Sequence, residues 1–415
     1  MNCNSKAFPA YGKILTGILY GDPENVLNVL SDIKTSLESK SFDREEVLEK
    51  LDDAINEFGG FSKYPKYKDK LSFEKDGVRY GAYTEEGEPC IGGGVGYNDI
   101  FTSGDYTVSN ASELKEALDK AEKGQTIFIR SDAVIDVSAL IEGNNPLLIK
   151  EGITLASDRG RCFDDGRLSL GGMICVHSLD WKHMFKVDSD VRITGLRLKG
   201  CDPDKHVAHH TRSFYTDKPE PHKYYFTLGA ISMSGFVVTG KNLEVDNCEI
   251  TGFPCAAVSL SANAADAYIH HNYIHHNQGK GLGYGVSHGR GATSVIKYNL
   301  FNFNRHDVAN SGAPVTGYDA SYNINMGECL DHVYDMHGGR DRKDGTNIAG
   351  TYCDIHDNTL LSERSPYHVR GVPEEYHRFH HNIVFGKRDL YHYLEGEKYE
   401  IYENVFGIDD MEVLK

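Results

Sequence analysis

A short asparagine motif recurs through the second half of the chain. In each copy an apolar residue is followed by two residues, an asparagine, one residue and a second apolar residue, as in Ile269, Asn272 and Ile274. The copies centre on positions 248 (a cysteine), 272, 299, 323, 358, 382 and 404, so successive centres are 24, 27, 24, 35, 24 and 22 residues apart. A period near 24 residues is typical of a solenoid and not of a sandwich.

The repeat predicts an all-β fold, a right-handed parallel β-helix solenoid. One coil of this length cannot bury its own apolar side chains, whereas stacked coils bury a continuous core. Asparagine suits the bend between two strands because it tolerates a left-handed backbone and bonds neighbouring backbone groups. We therefore interpret the repeated asparagines as scaffold residues that stack into a ladder of amides.

The chain divides into two regions. Residues 20–58 place apolar side chains at three- and four-residue spacing, which predicts a helical hairpin. We expect residues 1–104 to form a helical N-terminal region and a loop-rich connection that flanks the N-terminal end of the solenoid, and residues 105–415 to form the β-helix. No apolar signal-peptide core is visible, and no stretch of about 18 apolar residues predicts a transmembrane helix.

The solenoid has a recognisable beginning and two insertions. From Tyr106 the pattern predicts strand, helix, turn and strand, with Asn110 or Ser112 as the helix N-cap. Residues 200–227 and the segment around 338–347 are longer than the repeat requires. Loops of this kind usually build the binding groove of a solenoid.

The charge pattern points to an anionic ligand. Lys plus Arg is 44 and Asp plus Glu is 61, so the formal charge is 44 − 61 = −17, which argues against a nucleic-acid partner. Residues 267–306 nevertheless contain no Asp or Glu, and they carry six histidines together with Lys280, Arg290, Lys297 and Arg305. This local inversion favours a cleft for an acidic molecule.

Polar residues between the asparagine bends predict where the cleft lies. Side chains alternate along a strand, and coils stack about 4.8 Å apart, so equivalent positions form columns. One register places eight polar residues on a common outer face: Tyr284, His288, His306, Asn310, Asp335, His337, His368 and Arg370. The same register turns the intervening residues inward: Ser287, Ala309, Met336 and Val369.

These residue types suit cleavage of a uronic-acid polymer by β-elimination. The reaction needs a cation or hydrogen-bond donor at the carboxylate, a base for the C5 proton and an acid for the leaving oxygen. We predict His288 or His306 as the base, Tyr284 as the proton donor, and Arg290, Arg305 and Arg370 as carboxylate ligands. Asn310, His337, His368 and Lys280 complete the predicted substrate-binding set.

Two other classes of function stay open. A glycoside hydrolase would need paired carboxylates, for which Asp307, Asp319, Asp331 and Asp335 are the candidates. A non-catalytic adhesin or tail-spike-like protein would bind carbohydrate without forming any product. A C5-epimerase would share the first steps of the lyase reaction.

The segments SELKEALDKAEKGQTIFIR and LLIKEGITLASDRG, followed by the asparagine-bend coils, resemble the entry of right-handed parallel β-helix proteins of the pectate-lyase-like superfamily. The segments GYGVSHGRG, NRHDVANSG and VYDMHGG resemble β-helix polysaccharide lyases that act on alginate or glucuronan. The resemblance covers roughly residues 105–410 and implies a secreted or periplasmic enzyme in its mature form. The paired aspartates and Gly-His-Gly segment of the polygalacturonase branch are missing, since Arg290 lies between Gly289 and Gly291.

No cofactor is predicted with certainty. Calcium is a candidate through Asp202, Asp204 or Asp217 in the first long insertion. The HHNYIHH segment lies on a strand and a bend and not on a helix, so its histidines do not present the spacing of a helical zinc motif. The predicted partner is an anionic polysaccharide.

Overall fold

The chain forms a parallel β-helix, as predicted. The computed structural model describes residues 72–406 except 144, 165, 178–182, 202–232, 279–280, 327–328, 330, 363 and 385–397. Three long parallel sheets run through it, and each strand pairs with the equivalent strand of the coils before and after it. Strand pairing therefore connects residues about one coil apart, which is the periodicity of the asparagine motif.

The three sheets differ in which stretch of each coil they take. Sheet I contains β3 (Tyr106–Val108), β4 (Thr126–Ile129), β7 (Thr154–Ala156), β10 (Arg192–Thr194), β13 (Glu244–Asp246), β16 (Ala267–His270), β19 (Thr293–Lys297), β22 (Gly317–Ser321), β25 (Tyr352–His356), β28 (Tyr376–His380) and β30 (Tyr399–Tyr402). Sheet II contains β5 (Val134–Asp136), β8 (Met173–Cys175), β11 (Arg197–Lys199), β14 (Glu249–Thr251), β17 (Tyr273–His275), β20 (Leu300–Asn302), β23 (Ile324–Asn325), β26 (Thr359–Leu360), β29 (Ile383–Val384) and β31 (Val405–Phe406). Sheet III contains β6 (Leu147–Ile149), β9 (His183–Val187), β12 (Ser234–Val238), β15 (Ala256–Leu260), β18 (Tyr284–His288), β21 (His306–Asn310), β24 (Tyr334–Met336) and β27 (Tyr367–Val369).

Inward side chains form apolar columns, one residue per coil. The sheet I column is buried in nine successive strands: Ile127, Leu155, Ile193, Val245, Ile269, Ile296, Ala320, Ile355 and Phe379. Matching columns in sheets II and III include Ile250, Ile274 and Phe301, and Phe236, Val258 and Val286. Burial of this kind of surface, at roughly 25 cal/mol per Å², is what makes stacking favourable.

The asparagine ladder lies at the bend between sheets I and II. From Asn299 to Asn404, each side-chain oxygen accepts bonds from the backbone N–H and side-chain amide of the preceding ladder residue, at 2.8–3.1 Å. The residues before these asparagines have positive φ, as at His271, Tyr298 and Tyr322. The scaffold role that the sequence predicts for the asparagines is therefore what the structure shows.

A β-bulge in sheet III changes which side chains face outward. The backbone N–H groups of Asp307 and Val308 both donate to the carbonyl of Val333, at 2.9 and 3.3 Å, and both residues are fully buried. One extra residue is thereby accommodated against a single partner, and strict alternation is lost. Tyr284 and His306, at the beginnings of their strands, consequently turn outward.

The predicted common face is wrong for His288 and Asn310. His288 in β18 is the register partner of Asn310, which follows the bulge, and both face the interior, where they are 3% and 2% exposed. His288 Nε2 lies 2.7 Å from the Ser294 hydroxyl, and burial lowers the pKa of this histidine to about 4. Ser287 and Ala309 occupy the outer face instead, whereas Met336 and Val369 point inward as predicted.

A helix covers the N-terminal end of the coils. Helix α1 (Ala111–Lys120) begins after Asn110, whose side-chain oxygen accepts the Glu113 N–H at 3.0 Å, as the sequence predicts. Its buried residues Leu114, Ala117 and Leu118 join the core, and it packs against β3, β4 and β6. The apolar end of the stack is thus kept from water.

The segment before the solenoid lies along its side. Strands β1 (Ser72–Lys75) and β2 (Val78–Gly81) form an antiparallel hairpin, and residues 81–101 then run back over the coils as an N-terminal strap. Hydrogen bonds of the strap reach successively earlier coils: Gly81 N–H to His381 O, Gly92 N–H to Tyr298 O, and the Tyr97 hydroxyl to Asp246. The described part of this region therefore does not flank only the N-terminal end, contrary to expectation. The predicted helices at 20–58 lie outside the described residues.

The strap buries apolar side chains on the outer face of sheet II. Ile91 and Ala82 pack with a cluster from three coils: Tyr273, Tyr298, Leu300, Tyr322, Ile324 and Met326. The strap therefore closes this part of sheet II to a ligand. Over the described ranges, no helix has the length and apolar character needed to cross a membrane.

Candidate active site

Four aromatic rings stack along the outer face of sheet III. The rings of Tyr284 and His306 are 5.6 Å apart and nearly parallel, those of His306 and His332 are 5.1 Å apart, and those of His332 and His368 are 4.0 Å apart. Each ring comes from a different coil, so the stacking follows from the register of the sheet. The column holds the imidazole planes in fixed orientations.

Asp335 is the anchor of the site. Its side chain is fully buried, yet Arg370 Nη2 lies 2.6 Å from both carboxylate oxygens and His337 Nε2 lies 3.0 Å from Oδ2. Burial alone would raise the pKa of Asp335, but the hydrogen bond from His337 and the charge of Arg370 hold the pKa well below its usual range. Asp335 is therefore ionised at neutral pH.

His337 lies between the buried Asp335 carboxylate and the protein surface. Its side chain is 35% exposed, and its Nε2–H donates to Asp335. The other ring nitrogen, Nδ1, then bears the lone pair, and it lies 3.7 Å from a carboxylate oxygen of Asp341. A histidine held from behind by a buried aspartate is the arrangement that fixes the tautomer of a general base.

His306 is buried next to Asp335. Its Nδ1 is 2.6 Å from the His332 carbonyl, so Nδ1 is the protonated nitrogen, and Nε2 lies 3.8 Å from Asp335 without a hydrogen-bond partner. Burial lowers the pKa of His306 against the opposing effect of Asp335, so the ring is neutral. The ring is fully buried and does not itself reach solvent.

Cationic and phenolic groups surround the pair. The Arg305 guanidinium is 3.0 Å from Asp331, and His332 Nδ1 is 3.2 Å from the same carboxylate. The Tyr284 hydroxyl donates to the Gly281 carbonyl at 2.9 Å. Burial raises the pKa of Tyr284 to about 12, so the phenol keeps its proton at neutral pH.

The structure brings together most, but not all, of the predicted site residues. Tyr284, Arg305, His306, His337, His368 and Arg370 lie on the outer face of sheet III. Arg290 lies in the turn after β18, His288 and Asn310 face the core, and Lys280 lies outside the described residues. Asp202, Asp204 and Asp217, the candidate calcium ligands, also lie outside them.

The four carboxylates considered for hydrolysis do not form one group. Asp307 faces the interior, where burial raises its pKa to about 7 against hydrogen bonds from Asn304 and Asn325. Asp319 lies on the outer face of sheet I, 3.4 Å from His356 Nε2. Only Asp331 and Asp335 share a face, and each is paired with a guanidinium.

The sequence analysis missed His332 and Asp341. His332 precedes β24, so the segment that begins at Tyr334 did not include it, although it follows Asp331. Asp341 lies in α2 (Gly339–Arg342), within the segment predicted as an insertion, and its carboxylate also lies 3.4 Å from Arg370 Nε. A search of inserted segments for ionisable residues would have found it.

The outer face of sheet III also contains three side chains of types that bind metal ions, but Arg370 already bonds the carboxylate among them. Ligand atoms of His332, Asp335 and His368 lie within 4.8 Å of one another. Both oxygens of Asp335 are, however, held by Arg370. The arrangement is therefore that of a buried ion pair with a histidine donor.

Comparison with known proteins gives structural similarity at low sequence identity. No protein-family model and no curated protein matches the chain. An alginate lyase from Paenibacillus sp. strain FPU-7 is 13% identical with a TM-score of 0.45, covering 73% of this chain and 97% of its own. The A-module of the Azotobacter vinelandii mannuronan C-5 epimerase AlgE4 is 11% identical with a TM-score of 0.29, covering 74% of this chain and 94% of its own. The catalytic unit of a GH87 α-1,3-glucanase from Streptomyces thermodiastaticus is 11% identical with a TM-score of 0.31, covering 79% and 70%. The parallel β-helix itself is established by the three parallel sheets of the stacked coils.

Proposed function

We propose that this protein is a polysaccharide lyase that cleaves a uronic-acid polymer, of the alginate or glucuronan type, by β-elimination. The observation that carries the proposal is the Asp335–His337 pair, a partly exposed histidine oriented by a buried, ionised carboxylate. Such a polymer lies outside the cytoplasm, which fits a secreted or periplasmic protein.

His337 takes the role of the base. With Nε2–H bound to Asp335, its Nδ1 lone pair is available to remove the proton at C5, and Asp335 stabilises the imidazolium that forms. This revises the sequence-based choice of His288 or His306. His288 faces the core and the His306 ring is fully buried, so neither nitrogen reaches a polymer on the surface.

Arg370 and Arg305 take the role of carboxylate ligands. Their side chains are 26% and 21% exposed, and a guanidinium has five N–H donors, of which the aspartate partners use only some. Binding the substrate carboxylate beside the base makes the C5 proton more acidic, which is the electrostatic demand of β-elimination. The acid-free stretch at 267–306 passes through all three sheets, and Tyr284 and Arg305 are members of it that lie on this face.

Tyr284 takes the role of the acid. Its phenol is neutral at neutral pH and lies on the same outer face, stacked on His306. It would protonate the leaving O4. Hydrolysis is less well supported because Asp335 is held ionised and Asp307, whose pKa is raised to about 7, faces the interior.

The test begins with a screen of acidic polymers. The protein is mixed with alginate, glucuronan and pectate, with and without calcium, and the ultraviolet absorbance of the unsaturated product is followed. New reducing ends without this absorbance would indicate a hydrolase, and binding without any product would indicate an adhesin. Either result would overturn the lyase proposal.

Two matched variants assign the base. His337→Gln should lower the rate by about 10²–10⁴-fold, the usual contribution of a general base. His380→Gln is the control, because His380 Nε2 also lies 3.0 Å from a carboxylate, that of Asp354, but on the outer face of sheet I. Equal losses in the two variants, with unchanged circular dichroism, would contradict the role of His337.

A further inference from the structure

A second group of ligand-type side chains lies on sheet II, away from the Asp335–His337 pair. Asp136 in β5 and Cys175 in β8 are register partners on adjacent strands, and His177 follows two residues after Cys175. One carboxylate oxygen, the thiol sulfur and one imidazole nitrogen lie within 4.8 Å of one another. Oxygen, sulfur and nitrogen ligands together are typical of sites for zinc-type ions.

The spacing of sulfur and nitrogen fits a shared ion. Cys175 Sγ lies 3.6 Å from His177 Nε2. Zinc binds sulfur at about 2.3 Å and nitrogen at about 2.0–2.1 Å, and a tetrahedral angle between these bonds gives a sulfur–nitrogen distance of about 3.6 Å. The two ligands therefore need little movement to hold one ion.

Ser138 orients the other two groups. Its hydroxyl donates to Asp136 Oδ1 at 2.5 Å and accepts the backbone N–H of His177 at 2.9 Å. The Ser138 backbone N–H donates to the same Oδ1 at 2.9 Å, so Oδ2 of Asp136 remains for an ion. Supporting hydrogen bonds of this kind fix the ligands of metal sites.

Burial and charge are compatible with a dication. Asp136 and His177 are exposed and Cys175 is buried, so an ion would reach the thiol from the solvent side. A zinc-type ion binds the thiolate form of cysteine, so binding releases the thiol proton to solvent, and the thiolate and the carboxylate together neutralise the two charges of the ion.

We propose that Asp136, Cys175 and His177 form a binding site for a zinc-type divalent ion, with a fourth position left for water. The site is built on sheet II, whereas the proposed catalytic groups lie on sheet III. It links β5, β8 and the residues after β8. Its occupancy is independent of whether the protein is a lyase.

Cobalt is the probe. The full-length protein is treated with a chelator, kept reduced and titrated with Co²⁺, followed by zinc competition. Binding should produce a thiolate-to-cobalt absorption band in the near ultraviolet, and one proton should be released per ion near neutral pH. Cys175→Ser should remove the absorption band. Ser138→Ala should keep the band but weaken the affinity for Co²⁺ about 10-fold or more.

Cys162→Ser is the matched control, because Cys162 is an exposed cysteine outside the cluster. It should leave the band and the affinity unchanged. Asp136→Asn keeps the thiol and should weaken binding without abolishing the band, which separates loss of a ligand from loss of the fold. Absence of the thiolate–cobalt band, or a band that persists in Cys175→Ser, would overturn the proposal.

Discussion

Replacing one buried rung of the asparagine ladder tests how the solenoid is held together. The Asn299 side-chain oxygen accepts the backbone N–H and the side-chain amide of Asn272, each at 3.0 Å. Its amide donates to Ile269 O at 2.7 Å, Lys297 O at 3.1 Å and Asn323 Oδ1 at 3.1 Å. Asn299→Ala therefore removes five hydrogen bonds at a residue with no exposed surface.

The expected loss of stability follows from what the variant leaves behind. The Asn272 backbone N–H loses its partner inside the protein, which costs about 1–3 kcal/mol. The Asn323 oxygen keeps the Asn299 backbone N–H, and the Asn272 side-chain amide keeps Val245 O. Adding the other lost bonds at about 0.5–1.5 kcal/mol each, partly compensated by relaxation, we expect a loss of about 3–5 kcal/mol.

Asn404→Ala is the comparison, because Asn404 has the same role at the last described rung. Its side-chain oxygen likewise accepts two bonds from Asn382, but the residue is only half-buried, so water can replace them. We expect a loss of about 1 kcal/mol or less. Urea unfolding followed by circular dichroism gives the two free energies, and amide exchange at Asn272 localises the effect. Losses equal within about 0.5 kcal/mol would refute the argument from burial.

Two further predictions concern pH and the position of His337. Burial lowers the pKa of His356, but hydrogen bonds to two aspartates outweigh burial and raise this pKa from 6.5 to about 10. The protonated His356 side chain therefore stabilises the fold fully below pH 6.5, and this stabilisation is lost as the pH rises through about 10. His356→Gln should therefore lower the urea midpoint more at about pH 6 than above about pH 10, and equal losses would contradict this. Gly312→Ala places a Cβ 1.6 Å from the His337 carbonyl at φ +63°, so activity should fall at least 10-fold, a fall of about 1.4 kcal/mol in transition-state stabilisation. Gly345→Ala, at φ +81° with no atom within 4 Å, should retain activity, and an active Gly312→Ala enzyme would show that His337 need not hold its position.

Much of the fold could be predicted from the sequence because its information is local and repeated. The interval near 24 residues fixes which strands become neighbours, and an asparagine at a constant place in each interval fixes a bend. Asn272 and Asn299 bond one another because the coils are of similar length. The cap at Asn110 is also local, since it depends on a residue only three positions away.

The candidate site depended on contacts that no local pattern encodes. Asn310 faces the core because it follows the bulge at Asp307 and Val308, and His288 faces the core because β18 loses strict alternation as well, with Tyr284 and Ser287 as its partly exposed residues.

The sequence by itself determined a stacked solenoid with a histidine-rich, acid-free stretch, because both features are written in spacing and composition. The tertiary structure decided that Asp335 and Arg370, 35 positions apart, form one ion pair beside His337. It also decided that the N-terminal strap closes part of sheet II. Both are long-range contacts, and their selection depends on the packing of several coils at once.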